Sequence, residues 1–102
     1  MKNKRLVPDT RREQLMAAAL ELSAAGHYDK ITRNQIAEAC GVAGSLVQHY
    51  FGTMPKLRRA VMRAAIERRH LLVIAQGIVN RDPHALRADD ELKKLAISEI
   101  SY

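Results

Sequence analysis

Apolar residues recur along most of this chain at spacings of three and four positions, which is the period of an amphipathic α-helix. Alternation with a period of two is not sustained anywhere, and no Asn-Gly or Asp-Gly pair marks a hairpin. The pattern therefore predicts an all-α protein.

The first helix is predicted between a capping signal and a glycine stop. Pro8-Asp9-Thr10 indicates the N-terminus, with Thr10 at capping-box spacing from Glu13, and Gly26 follows the last apolar position of the face that begins at Leu15. Tyr28 and Ile31 are expected to anchor the connection that follows.

Two short helices are predicted next, separated by a glycine-centred turn. The second helix begins at Thr32, with Gln35 at capping-box spacing, and ends at Gly41. The third runs from residue 43 or 44 to Tyr50 and is broken by Gly52.

A fourth, long helix is predicted to begin after Thr53, with Pro55 in its first turn, and to continue for roughly six turns to Val79. Because its polar face disappears over residues 71–79, that end is expected to be buried on all sides. A last helical segment covers residues 83–100 and is open to a split near Asp89-Asp90.

Composition limits the chemistry that this chain can carry. Its 102 residues suit one small domain, with or without one accessory element, and its single cysteine, Cys40, excludes an internal disulfide framework and a zinc site built on cysteines. Charged residues interrupt what would be the apolar part of a signal peptide, and no apolar run approaches the ~20 residues of a membrane span. We therefore expect a cytoplasmic protein with no membrane partner.

The net charge of +6 is concentrated in two blocks. Residues 1–12 carry a net +4 and residues 52–70 a net +5, whereas the segment between them is slightly acidic. Such a balance suggests an anionic partner, with nucleic acid first and a membrane surface second. The two basic blocks flank the pair of short helices.

The helix, turn and helix over residues 32–51 can present one unpacked face to a DNA major groove, which is ~12 Å wide. Gln48 suits base recognition because its amide can bond adenine through two hydrogen bonds, and Ser45, His49 and Tyr50 can reach phosphate or base edges.

These residues also carry a resemblance. The stretch RREQLMAAALELSAAGHYDKITRNQIAEACGVAGSLVQHYFGTMPKL resembles the N-terminal DNA-binding domain of the TetR family of bacterial repressors. The shared positions are Tyr28, Thr32, Ile36-Ala37, Gly41-Val42, Tyr50-Phe51 and Leu57.

The resemblance implies a three-helix helix-turn-helix domain that binds double-stranded DNA. The start of helix two, helix three as the recognition helix, and the first turn of helix four would supply the contacts. The implied DNA-binding residues are Thr32, Arg33, Asn34, Ala43, Gly44, Ser45, Gln48, His49, Tyr50 and Lys56.

Four positions depart from the family pattern. His27 replaces the family's glycine before the tyrosine, and Ala43 replaces the serine that caps helix three. Gln48 stands at a phosphate-binding tyrosine and Met54 at a lysine, so this chain lacks several side chains with which the family binds the DNA backbone.

Basic residues elsewhere are candidates to bind phosphate in their place. The N-terminal arm is either a disordered tail or a minor-groove or phosphate contact. Arg58, Arg59 and Arg63 are either a solvated helix face or further phosphate contacts. Cys40 is expected to be a small core residue.

The chain is shorter than the family's usual pattern, and this predicts three parts: a basic flexible arm at 1–9, the DNA-binding domain at 10–58, and C-terminal helices at 59–102. The apolar C-terminal helices are expected to bury against a second copy, giving a homodimer on an inverted-repeat operator. A ligand pocket has to be enclosed by more helices than these, so no small-molecule inducer is expected.

The resulting hypothesis is a transcriptional repressor of the bacterial cytoplasm, associated with the nucleoid, with no cofactor, metal or enzymatic activity. Ser45 and His49 are four residues apart, but no carboxylate is placed to orient the histidine for catalysis. The alternative is a helical protein-interaction or RNA-binding module with a degenerate helix-turn-helix.

Overall fold

The structure, a computed structural model, describes residues 8–100, so the predicted arm at 1–9 lies almost entirely outside the described residues. The all-α fold is confirmed over this range. In chain order the described helices are α1 (Pro8–Ala25), α2 (Arg33–Cys40), α3 (Gly44–Phe51), α4 (Met54–Glu67), α5 (Leu71–Val79), α6 (Pro83–Leu86) and α7 (Asp90–Ser98).

Local caps define three of the helix starts as predicted. Thr32 forms a complete capping box with Gln35 at α2, and the Thr53 hydroxyl accepts from the backbone N–H of Lys56 at α4. Asp89 accepts from the first backbone N–H groups of α7, so the last segment is split at this point. Each of these bonds joins residues no more than three positions apart.

The first helix begins within the predicted Pro8-Asp9-Thr10 segment, but the predicted capping box between Thr10 and Glu13 is wrong. α1 begins at Pro8, so Thr10 lies inside the helix. Proline is tolerated in a first turn because the N–H that it lacks has no partner within the helix there. Glu13, expected to complete a capping box, instead pairs with Arg68 at the end of α4 through two bonds of 2.7 and 2.8 Å.

The first four helices enclose an apolar core that positions α2 and α3. The predicted anchors Tyr28 and Ile31 are only 2% and 3% exposed, which confirms their role in the connection from α1 to α2. The side chains at the centre of this core are Leu15, Ile36, Val47, Leu57 and Val61, each no more than 1% exposed.

The long helix predicted from residue 53 to Val79 is divided in two. α4 ends at Glu67, Arg69 adopts a left-handed conformation with φ of 54°, and the His70 N–H bonds the Ala65 carbonyl at 2.8 Å. No glycine or proline marks this break, so helical periodicity runs through it undisturbed. Burial on all sides is also wrong, because Val79 is 67% exposed.

The C-terminal helices pack tightly where α5 crosses α4 and α6. A Cβ built on Gly77 would lie 2.5 Å from Met62 Cε and 2.8 Å from Ala85 Cβ. Only a residue without a side chain permits this approach.

The predicted division of the chain at residue 58 falls within α4 and stays a prediction.

Candidate nucleic-acid interface

The turn between α2 and α3 is built around Gly41. Gly41 is left-handed, with φ of 68° and ψ of 36°, and the N–H of Val42 bonds the Ala37 carbonyl at 2.9 Å. Buried Ile36 on α2 and Val47 on α3 hold the two helices together behind this turn. Their outer sides are left at the surface.

The beginning of α2 lies close to the beginning of α3. The capping box leaves Thr32 and Asn34 exposed, with Arg33 half-buried between them. A Cβ built on Gly44 would lie 3.2 Å from Asn34 Oδ1, so the absence of a side chain at Gly44 makes room for that amide. Two predicted site segments, 32–34 and 43–45, therefore meet at one edge.

The outer side of α3 is polar. Ser45, Gln48 and His49 are exposed, and Tyr50 is half-buried with its ring 5.3 Å from that of His49 in an edge-on arrangement. Ala43, at the N-cap, has extended backbone and makes no side-chain capping bond. One backbone N–H at this helix start is therefore left without the partner that a serine supplies.

A hydrogen bond across the two helices joins Arg33 to Gln48. Arg33 Nη1 donates to Gln48 Oε1 at 2.6 Å. This pair lies at the surface and brings a predicted contact of α2 together with one of α3.

Lys56 lies beside the end of α3 because the chain turns sharply at Gly52. Gly52 has φ of 77° and closes α3 through a 2.7 Å bond to the Gln48 carbonyl. A Cβ built on Gly52 would lie 3.1 Å from Lys56 Cδ, so the lysine stem passes directly over this turn. The exposed Lys56 head is thus adjacent to the end of α3.

Arg12 also lies at this surface, beside α3 and Lys56. Its position in the sequence indicates only that it belongs to the basic block of residues 1–12. Arg12 Nη1 donates to the Tyr50 carbonyl at 2.9 Å, and its guanidinium lies 4.6 Å from the centre of the Phe51 ring. A groove of about 300 Å³ follows between α1 and α4. Its lining residues are Arg12, Tyr50, Phe51, Lys56, Arg59, Ala60 and Arg63.

The arginines predicted on helix four therefore have different surroundings. Arg59 and Arg63 are exposed and line this basic groove. Arg58 is half-buried and faces Asp29, with 3.8 Å between Nε and the carboxylate. Its charge is directed to the α1–α2 connection, and it lines a separate groove with Thr32, Arg33 and Asn34.

The described residues offer no group of three or more histidine, cysteine or acidic side chains that could hold a metal ion. Cys40 is half-buried, and desolvation raises the pKa of its thiol, which suits a packing residue. Within residues 8–100, no helix is long and apolar enough to cross a membrane.

Comparison with known proteins gives one match. The sequence model of the family described as bacterial regulatory proteins, tetR family, matches residues 15–61, which run from α1 into the middle of α4. No curated protein matches the chain, and no solved structure does. The matched segment contains every predicted site residue and the buried core behind them.

Proposed function

We propose that residues 15–61, which match the tetR-family sequence model, are the DNA-binding domain of a homodimeric repressor that occupies an inverted-repeat operator. Two exposed helix faces of the domain, one from each copy, would enter successive major grooves about one helical turn apart.

The observation that carries this proposal is the polar surface formed jointly by the start of α2 and the outer side of α3. Gln48 and Ser45 are exposed beside Arg33, while Val47 and Ile36 are buried immediately behind them. A rigid helix with hydrogen-bonding side chains on one face is what a major groove accommodates. Those side chains would read base edges.

The basic groove next to this surface suits the DNA backbone. Arg12, Lys56, Arg59 and Arg63 line it together, and the bond of Arg12 to the Tyr50 carbonyl ties the groove to the end of the recognition helix. Cationic side chains at the edge of a base-reading helix contact phosphates and make affinity depend on salt. Arg12, Arg59 and Arg63 would bind DNA phosphates in place of the family's serine and lysine, which are Ala43 and Met54 in this chain.

The second copy is proposed to bind the apolar side of the C-terminal helices. Four large apolar residues of the C-terminal segment are exposed: Val79 at 67%, Leu86 at 43%, Leu95 at 42% and Ile100 at 42%. An adjoining groove of about 450 Å³ carries both Asp90 and the lysines Lys93 and Lys94. Asp90 pairs with Lys93 of its own copy at 3.4 Å. Because a two-fold axis presents the same patch twice, Lys94 of one copy would be the cation that meets Asp90 of the other.

We propose operator binding without a small-molecule inducer, since the space between α4, α5 and α6 is filled by protein. Met62, Val73 and Ile74 are fully buried. At Gly77 there is no space even for a Cβ, which would collide with Met62 and Ala85. A ligand pocket between these three helices would require this packing to open.

DNA binding is tested by selecting bound sequences from a random duplex pool and then titrating the selected duplex at several salt concentrations. We expect Gln48→Ala to reduce discrimination between sequences by about 1–3 kcal/mol, and Lys56→Ala to weaken all duplexes equally and to lower the salt slope by about 1. Arg87→Ala, which removes an exposed charge outside this surface, is the matched control. Equal affinity for every duplex, unchanged by Gln48→Ala, would refute sequence-specific regulation and favour an RNA or protein partner.

Repression itself is tested by transcription in vitro from a promoter that overlaps the selected sequence. Transcript levels should fall as the protein saturates the site, because the bound dimer excludes polymerase. A rise in transcript would contradict the repressor role while leaving DNA binding intact.

The dimer is tested by sedimentation velocity at micromolar concentration. Val79→Glu and Leu95→Glu should each give a monomer, because a buried carboxylate without a partner opposes association. Ala17→Glu, which places the same charge on an exposed position of α1, should leave the dimer intact. A monomeric wild-type protein would refute the proposed interface.

A further inference from the structure

The hydrogen bond between Arg33 and Gln48 determines which atoms of the glutamine amide remain available to a ligand. A guanidinium has only donors, so the atom that it meets at 2.6 Å is the amide oxygen, and the NH2 group is left over. Among the described residues, no protein group accepts a hydrogen bond from Gln48 Nε2. The carbonyl, by contrast, is already engaged.

Within the part of the chain that the structure describes, Arg33 has no ion-pair partner. No carboxylate of the described residues lies within salt-bridge distance of it. The pair therefore presents the remaining N–H groups of the guanidinium and the amide NH2 of Gln48. All of these groups are donors, and they carry a net positive charge.

The two purines differ in what they offer to such a group in the major groove. Adenine presents one acceptor, N7, beside an amino donor, whereas guanine presents two acceptors, N7 and O6. A free glutamine amide matches adenine because it has one donor and one acceptor. A glutamine whose oxygen is bonded to an arginine presents only donors, and these match the two acceptors of guanine. On adenine, one of these donors would face the amino group, which is itself a donor, and would have no acceptor.

From this geometry we infer that Arg33 and Gln48 act as one recognition unit that reads guanine, and that Arg33 prevents Gln48 from reading adenine. The inference rests on the proposed DNA-binding function and names the base that its central residue selects. The unit exists because Gly44 and the α2 capping box bring the two helix faces together.

The test uses the full chain and selection from a random duplex pool, followed by titration of duplexes that differ at one base pair. The wild-type protein should prefer guanine over adenine at one position of each half-site by about tenfold or more, as expected for a paired contact to a base edge. Arg33→Ala releases the amide oxygen and should reverse the preference at that same position toward adenine.

Two further variants separate this effect from a general loss of affinity. Gln48→Ala should keep guanine as the preferred base, since Arg33 remains, but with weaker binding. Lys56→Ala should lower affinity for all duplexes without changing the base selected at that position. Circular dichroism checks that each variant retains its helices, which is expected because these side chains lie at the surface.

The outcomes distinguish the inference from its premise. Sequence-selective binding in which the wild-type protein prefers adenine, or in which Arg33→Ala leaves the guanine preference unchanged, would overturn the inference and leave the proposed function standing. If no duplex is preferred by the wild-type protein, the proposed function fails and the inference fails with it.

Discussion

Gln76 on α5 ties the C-terminal helices to the DNA-binding domain through the connection between α1 and α2. Its amide oxygen accepts from the backbone N–H of Tyr28 at 2.9 Å. Its NH2 group donates to the carbonyls of Ser23 at 2.8 Å and Gly26 at 3.4 Å. One side chain thus satisfies three backbone groups that the helices leave unpaired.

Replacing this amide should be costly because the backbone groups remain. Gln76→Leu leaves the Tyr28 N–H without a partner at a residue that is only 2% exposed. An unsatisfied buried donor costs about 1–3 kcal/mol, and the bond to the Ser23 carbonyl is removed as well. We therefore expect the free energy of unfolding to fall by about 2–3 kcal/mol.

Gln76→Glu separates the acceptor role from the donor role. The introduced carboxylate can still accept from Tyr28, but its second oxygen faces two carbonyl oxygens that previously received hydrogen bonds. This repulsion favours the protonated carboxyl, so its pKa in the folded state should exceed the ordinary glutamate value of about 4.3. The loss of stability relative to wild type should be full at pH 7.5 and should shrink as pH falls toward that ordinary value.

The measurement is urea unfolding followed by circular dichroism at pH 7.5 and pH 4.5, with wild type and each variant compared at the same pH. Gln14→Leu is the control, because the Gln14 side chain accepts only from Arg11 on the same helix. If Gln76→Leu lost no more stability than this control, the argument from buried backbone groups would be refuted. If the deficit of Gln76→Glu did not change with pH, the proposed repulsion between its oxygens would be wrong.

Three further perturbations have defined outcomes. Burial raises the pKa of Tyr28 from 10.0 to about 12. The contribution of this residue to the unfolding free energy is therefore constant below pH 10 and is lost as pH rises toward 12. Tyr28→Phe should abolish this part of the alkaline loss of stability in urea titrations, and an identical loss in both proteins would contradict the prediction. Ala43→Ser should raise stability by about 1 kcal/mol in thermal unfolding by capping α3, whereas Ala43→Val should give no gain. Gly77→Ala should lower the free energy of unfolding by about 1–2 kcal/mol, because a Cβ 2.8 Å from Ala85 Cβ forces α5 and α6 apart. Gly26→Ala is the control: a Cβ there has its nearest contact at 3.6 Å, so crowding should not reduce stability.

The candidate site is predictable where its residues are defined by position on short helices. The exposed positions of α3 follow from the burial of Val47 and Phe51, and the first turn of α2 follows from the cap at Thr32. The part that sequence reasoning misses is how these side chains meet. The sequence predicts that Gln48 offers a complete amide to adenine, and nothing in it indicates that Arg33 holds the amide oxygen.

The groove beside the site shows the same limit. Arg12 stands in a basic block adjoining the predicted arm, yet it lies on helix α1 and bonds a carbonyl 38 residues away. Arg58 stands in the helix-four stripe, yet it faces Asp29 rather than the groove. Charge counts identify the two basic blocks, but only the packing of α1 against α4 shows which cations share one surface.

The sequence by itself determined the helices, their caps and the glycine-centred turn, because the bonds that define them join residues within about four positions of one another. The capping box at Thr32 and the stop at Gly41 are decided by adjacent residues alone. Tertiary structure decided the break after Glu67, where Arg69 takes a left-handed conformation without any local signal. It also decided the links from Gln76 to Tyr28 and from Arg33 to Gln48, which span 48 and 15 residues. Such contacts depend on how whole helices pack against one another, and a local pattern of residues contains no information about that arrangement.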